Sequence, residues 1–467
     1  MKTCGIACLA FVAWGLGAPC EGQGLPPEGF VRHLLEAYVP ATTMKVQLDF
    51  LPFDFTSFYG GVWESIPRGW SVGSSSIPPT GFDRETGTIY WEFEAWCTFG
   101  IQIHYEVTPP HDQTGDVSFD GFCSYSLTPT GDGPMFVVPT AGDTTLRRAP
   151  PVMRLVPQEH PSIQSAIDAS LFGDTVMVSA GDPLFTEHLV LKAGVNLAGY
   201  VAGPLYRPPT IGSNSWPLPA ITAAPYTNIS GFVIAWSAYG IRVGDPTVEI
   251  SDCVIVETST AAIEYVGATE GKITNCTIVD NGRVGVLCHE ASPNVIVSNS
   301  ILLGNGGKDI ANCTARFCLL EDEIEPGSGE NDIFGDPMFV NSAEGDYRLL
   351  RGSPCTDAGD NTGIAADAVD ILSKPRILFG GKSETVDIGA YEYWFISLSR
   401  APDGQELQLR WSSAPEKTYT VFYSTDFLNW QTAGDNIPSA GAMTIWLDPI
   451  GWPPTVPVRF YRIMQNE

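Results

Sequence analysis

The chain has 467 residues, with 25 Lys and Arg against 53 Asp and Glu, and a formal net charge of −28. Such an anionic surplus repels phosphate-rich partners, which excludes nucleic acid and anionic membrane surfaces as general ligands. The 48 Gly and 37 Pro, with few long apolar helical runs, indicate mainly β structure, and the length allows about three domains.

Met1, Lys2 and the apolar run 6–18 have the charge, length and flanks of a secretory signal peptide, assigned to residues 1–22 with cleavage between Ala18 and Gln23. Cys20 invites a lipoprotein reading, but Pro19 stands where that processing site takes a small Gly or Ala. No later segment reaches the ~18 apolar residues that a transmembrane span needs. The mature protein is therefore expected to be secreted, or held at the cell surface or in the periplasm. Export permits disulfides, with Cys97 and Cys123 one candidate pair and Cys313 and Cys318 another. Free core thiols suit most of the 11 cysteines.

Residues 25–145 read as a β-sandwich, because segments 44–50, 88–93, 100–107 and 117–121 alternate apolar and polar residues between Pro- and Gly-rich turns. Trp63, Trp70 and Trp96 are its ligand candidates: exposed indoles stack on sugar rings, whereas buried ones only pack. A polar linker, 140–157, leads to residues 160–169, whose apolar positions fall at helical spacing, and then to a first strand at 173–178. The short helix would cover the apolar cross-section that a first coil exposes.

From residue 229 one phrase recurs. Segments 229–234 (ISGFVI), 250–255 (ISDCVI), 273–278 (ITNCTI) and 297–302 (VSNSIL) follow one another at spacings of 21, 23 and 24 residues. A second phrase keeps step at 240–243, 262–265, 285–288 and 309–312, and a weaker strand is read between them at Val248 and Glu249, Lys272 and Val295. Periods this short leave no room for a helix and describe a stacked β-solenoid. Its Ile and Val positions must lie over their equivalents one coil away, at about 4.8 Å. Gly231, Asp252, Asn275 and Asn299 fall in register where the chain must bend, and Cys253 stacks over Cys276. Roughly seven coils would make a rod about 35 Å long.

On these residues the region resembles the pectin-lyase-like superfamily of right-handed parallel β-helix proteins, in a secreted bacterial multidomain form. The resemblance covers about half the chain. It implies the fold strongly and an activity weakly, since that superfamily includes lyases, hydrolases, epimerases and adhesins. Beyond Asn312 the period is lost, and 321–330 is an acidic, Gly-containing loop. Residues 334–393, ending in VDIGAYEY, resemble the tail that follows β-helix coils in many secreted bacterial proteins and looks like a cap for the end of the rod.

Residues 395–467 alternate cleanly at 407–411 and 419–423, with the spacing of a small fibronectin-type-III-like sandwich. The reading is thus an all-β chain: a right-handed parallel β-helix at 155–394, flanked by an N-terminal β-sandwich and a small C-terminal fibronectin-type-III-like β-sandwich.

For chemistry, a polysaccharide lyase or glycoside hydrolase working in the β-helix groove would need paired carboxylates or a Ca²⁺ site with a tuned base. Glu264, Asp280 and Glu290 are the catalytic candidates; Asp280, Glu257 and Glu290 fall on turns from which they could converge with His289, though periodicity alone does not place them on one wall. Arg242 and Glu264 fall on equivalent outward positions of adjacent coils and read as a surface ion pair. Asp357, Asp360, Asp367 and Asp370 crowd enough oxygen to suggest Ca²⁺, though turn formation is the preferred explanation of such Asp residues. No cofactor is required by any motif. The leading expectation is a non-catalytic protein recognising extracellular polysaccharide or a cell surface. The alternatives are a glycan-cleaving enzyme and an architectural adhesion component.

Overall fold

The computed structural model describes residues 30–50, 58–95, 101–126, 135–179, 184–201, 207–213, 216–268, 270–289, 294–321, 329–401, 406–426, 428–449 and 459–466. The signal peptide, Trp96, Cys97, Glu290 and most of the acidic loop lie outside them. The chain divides into two compact units, residues 1–149 and 150–467.

The first unit is built on two five-stranded sheets. One runs Ala141–Gly142, Phe30–His33, Met44–Phe50, Ile101–Thr108, Ser71–Ser75, and the other Met135–Pro139, Asp120–Ser126, Phe58–Ser65, Thr88–Ala95, Gly81–Asp83. Period-two alternation puts Val46, Leu48, Val62, Ile89, Trp91, Ile103 and Tyr105 into the layer between them, all 1% exposed or less. Strand Phe58–Ser65 is among those not read from the sequence, because Gly60 and Gly61 interrupt the alternation of apolar and polar residues. They sit mid-strand because neighbouring backbone comes close: a Cβ on Gly60 would lie 2.3 Å from the Ser124 carbonyl oxygen, and one on Gly61 2.5 Å from that of Trp91. Inside the sandwich a fully buried Arg32 donates to both oxygens of Glu64, at 2.6 and 2.9 Å, and to the carbonyls of Phe119 and Asp143.

The second unit holds the solenoid. Three parallel sheets of nine, eight and six strands wind together into six complete coils, with two incomplete ones after them. The stacking is in register: Ile229 pairs with Ile250, Ile250 with Ile273 and Ile273 with Val297 on the first sheet, and Ile241, Ile263, Val286 and Ile310 follow one another on the third. All eight are buried in one continuous core with Cys253 and Cys276. Gly231, Asp252, Asn275 and Asn299 all take left-handed backbone (φ 81, 54, 54 and 49°), which Gly, Asn and Asp tolerate best. The bend falls inside the first phrase, so ISDCVI is two strands, Glu249–Ser251 and Val254–Val256, and the weaker strand expected around Val248 is the start of the first. Trp236, Glu257, Asp280 and Gly304 form a second left-handed column after the second sheet.

Helix Ile163–Ala169 opens with a capping box between Ser162 and Ser165 and buries Ile163, Ala166 and Ile167 in the solenoid core beside Val176 and Leu189.

The tail after the last coil does more than meet the end of the rod: it returns along the flank. Residues 346–391 cover the outer face of the second sheet, where Val254, Val256, Val279, Ile301 and Leu319 pack with Tyr347, Leu349, Ile371, Ile388 and Tyr391. Polar contacts follow the same path. Asn299 exchanges two hydrogen bonds with the Asp360 backbone, the Ala390 N–H donates to Thr277, and the Val201 N–H donates to Ser373. Gly389 lies so close to the coil that a Cβ would meet Ile301 Cδ1 at 2.8 Å.

After the tail, strands Ile396–Arg400, Leu407–Ser412 and Met443–Leu447 form one antiparallel sheet, and Gln431–Pro438, Thr418–Ser424 and Phe460–Gln465 another. Leu409, Trp411, Tyr419 and Val421 fill the sandwich-like space between.

Candidate functional sites

On the outward face of the first unit, strand pairing sets Phe122 opposite Trp63 and Trp63 opposite Tyr90. Their rings are nearly parallel: Phe122 and Trp63 lie 5.1 Å apart at 9°, Trp63 and Tyr90 6.4 Å apart at 13°. The indole leans back over Gly61 and the Tyr90 ring over Gly81, where an added Cβ would come within 2.9 and 2.5 Å of them. The result is an overlapping aromatic row with Phe122 43% exposed at one end. Trp63 thus has the surroundings of a stacking residue. Trp70 does not: it is buried against Tyr38 and Phe119 and gives its N–H to Gln113, so it serves packing. Phe122 and Tyr90 were not foreseen, although their alternation with buried Cys123 and Trp91 marks them as outward-facing.

The outward face of the third sheet carries the Glu264 cluster. Arg242 Nε donates to Glu264 Oε2 at 2.6 Å, and His289 Nε2 lies 2.9 Å from Oε1. Arg242 also sits 4.7 Å over the Tyr239 ring. Glu264 is only 4% exposed, so the pair is more than a loose surface contact, and both carboxylate oxygens are occupied. His289 therefore joins Glu264 and not Asp280.

Asp280 stands at the corner between the second and third sheets, in the left-handed column with Glu257. Burial first, then the charges of Glu257 and Glu321, hold its carboxyl above the usual range. Opposite them burial and the same two carboxylates, Asp280 and Glu257, push the Tyr347 hydroxyl up to about 12. The expected convergence of Asp280 with Glu257 is present in this electrostatic sense, without the histidine.

The tail aspartates have separate tasks. Asp357 accepts from the N–H groups of Gly380, Lys382 and Ser383, Asp360 from Thr362, and Asp370 from Leu372, Lys374 and Glu392. Asp367 is exposed. Among the described residues no three acidic, His or Cys side chains converge as a metal-ligand set, and Asp357, Asp360 and Asp370 use carboxylate oxygens on backbone N–H groups.

The strongest polar cluster was not foreseen. Arg376, fully buried, donates to Asp252 Oδ1 at 2.6 and 2.9 Å, to Glu392 Oε1 at 3.0 Å and to the carbonyls of Gly389 and Ala390. Asp370 and Asp387 lie near enough to act on the same site. Burial raises Asp370 to about 6 and Asp387 to about 7, and holds Glu392 well above its ordinary value. This cluster locks the tail to the coil that carries Asp252.

Residues 220–322 match the family model for the right handed beta helix region. The chain is a right-handed β-helix protein. The fold fits the pectin-lyase-like resemblance, and the matched segment spans the best-formed coils of the β-helix. No curated protein matches the chain. Among the described residues no helix is long and apolar enough to cross a membrane. In this β-helix protein the thiol of Cys313 neighbours Cys288 on the adjacent coil, while Cys318 turns inward to the Val297 and Arg316 carbonyls, so the two cysteines expected to bridge have different partners.

Proposed function

We propose that this is an exported, non-catalytic protein that recognises extracellular polysaccharide through the Phe122, Trp63 and Tyr90 row. That row carries the reading: near-parallel aromatic rings on an outward sheet face match the apolar faces of successive sugar rings. The charge of −28 favours a neutral glycan over a uronate polymer. The signal-peptide pattern supplies the route out of the cell. Against catalysis in the groove weighs Glu264, whose two oxygens are held by Arg242 and His289.

The test is retention of the mature protein on insoluble cellulose, chitin, mannan and xylan, with polygalacturonate for contrast, while released reducing and unsaturated ends are assayed. Trp63→Ala and Phe122→Ala are expected to cut retention about tenfold each, in line with the ~1–3 kcal/mol that an exposed stacking contact contributes. Retention indifferent to both substitutions sinks the reading. Release of new chain ends replaces it with the enzymatic one.

A further inference from the structure

A second site emerges where the tail lies over the β-helix. Between the outer face of the second sheet and residues 342–348 opens a cavity of about 670 Å³, within the ~300–1,000 Å³ range of small-ligand sites. Its floor is aliphatic, from Val233, Val254 and Val256. Its rim carries Trp236, 52% exposed, whose indole N–H donates to Glu257. Trp236 holds φ 52°, a left-handed backbone in the position that Glu257, Asp280 and Gly304 occupy on later coils, and bulky residues rarely adopt it.

Two tyrosines point to a ligand. Tyr347 and Tyr391 are 5% and 7% exposed and line the cavity, yet neither hydroxyl is hydrogen-bonded to another described residue. The rings are buried while the hydroxyl oxygens open into the cavity, which leaves both free to bond a molecule that fills it. With the Glu257 carboxylate and the Arg348 guanidinium, which Asp346 holds at 2.6 Å, the wall offers donors and acceptors around an apolar floor with an indole at its edge. That combination suits a sugar: apolar ring faces for the aliphatic floor and indole, and hydroxyls for the tyrosines and the carboxylate. Glu257, Glu344 and Asp346 outnumber Arg207 and Arg348 on the lining, so an anionic sugar is disfavoured.

We propose that this cavity binds a short neutral oligosaccharide, with Trp236 stacking on a ring and Tyr347, Tyr391 and Glu257 hydrogen-bonding its hydroxyls. The site shares only its ligand class with the aromatic row of the first unit and stands on different residues.

The experiment uses the full mature chain carrying Trp63→Ala and Phe122→Ala together, which removes most of the row's stacking surface. Cellotetraose, mannotetraose, xylotetraose, chitotetraose and trigalacturonate are titrated by calorimetry and by ligand-observed magnetic resonance. At least one neutral tetrasaccharide is expected to bind, trigalacturonate to bind at least tenfold more weakly, Trp236→Ala to abolish the signal, and Tyr347→Phe and Tyr391→Phe each to weaken it about tenfold. The Tyr→Phe changes keep the packed ring, so their melting temperatures should match the parent and separate lost binding from lost fold. Absence of binding by every neutral probe overturns the proposal, as do binding indifferent to all three positions and equal binding of trigalacturonate. Polysaccharide retention that depends on Trp63, with no tetrasaccharide binding, removes this site and leaves the row. The converse removes the row and leaves this site.

Discussion

Each unit buries one arginine completely, and the two are neutralised differently. Arg32 in the sandwich meets a single carboxylate, Glu64, in a two-bonded pair, and spends its remaining donor on two carbonyls. Arg376 in the β-helix unit faces Asp252 and Glu392 directly, with Asp370 and Asp387 close behind. The first site is charge-balanced, while the second has one cation for four carboxylates and can be dry only if some of them hold protons. Both are buried ion pairs, and burial raises the Glu64 carboxyl too, but the second holds two further carboxyls raised to about 6 and 7, within the ordinary working range.

The largest expected effect comes from removing each cation. Arg376→Met leaves Asp252 and Glu392 without their partner and frees the tail from the coil, at a cost on the order of 3–5 kcal/mol. Urea unfolding at pH 8 should register it, and limited proteolysis should open sites within 335–393. Because acid neutralises the orphaned carboxyls, part of the loss should return at pH 5. Arg32→Met leaves only Glu64, so its deficit should be smaller and its recovery simpler. Equal losses with equal pH recovery would show that the number of carboxylates around each arginine is irrelevant.

The second effect isolates one of those carboxyls. Asp387 rises from its ordinary 3.8 to about 7, so its stabilising contribution is complete below about pH 4 and is lost as pH climbs through 7. Asp370, raised to about 6, acts in the same direction. The protein should therefore lose stability between pH 5 and pH 8, by an amount on the order of a few kcal/mol. Asp387→Asn keeps an uncharged acceptor for the Asp357 N–H and should flatten that slope, whatever it does to the absolute value. Melting temperatures across the range decide the matter, and an unchanged slope would assign the pH response elsewhere.

What could be read from the sequence follows from distance along the chain. The repeat places each Ile over its equivalent one coil on, and a bend that must recur at Gly231, Asp252, Asn275 and Asn299 leaves a visible column of small polar residues. Phe58–Ser65 escaped because two glycines disguise a strand whose demand for them comes from backbone on its neighbours. The tail lock escaped for a different reason: Arg376 and Asp252 are 124 residues apart, and nothing periodic connects them. The same holds for the site. Trp63 was legible as a candidate indole of the sandwich though not as part of a strand, and Tyr347 and Tyr391 became ligand candidates only once the returning tail laid them over Trp236's coil. Glu264 and His289 were each noticed, and only the coil geometry paired them.

That pair supplies the smallest and most discriminating effect. Around Glu264 a single carboxylate serves two partners, Arg242 on one oxygen and His289 on the other. Glu264→Gln keeps the shape and leaves an amide to face Arg242, so the expected cost is about 1–2 kcal/mol, the range for a charge-assisted hydrogen bond at a partly open site. Polysaccharide retention and tetrasaccharide binding should not change, because neither the aromatic row nor the tail-covered cavity uses this residue. A stability loss of this size with binding intact makes Glu264 a brace between coils. If the wild-type protein released chain ends and Glu264→Gln abolished that release at unchanged stability, the brace would instead be the acid or base of a working groove.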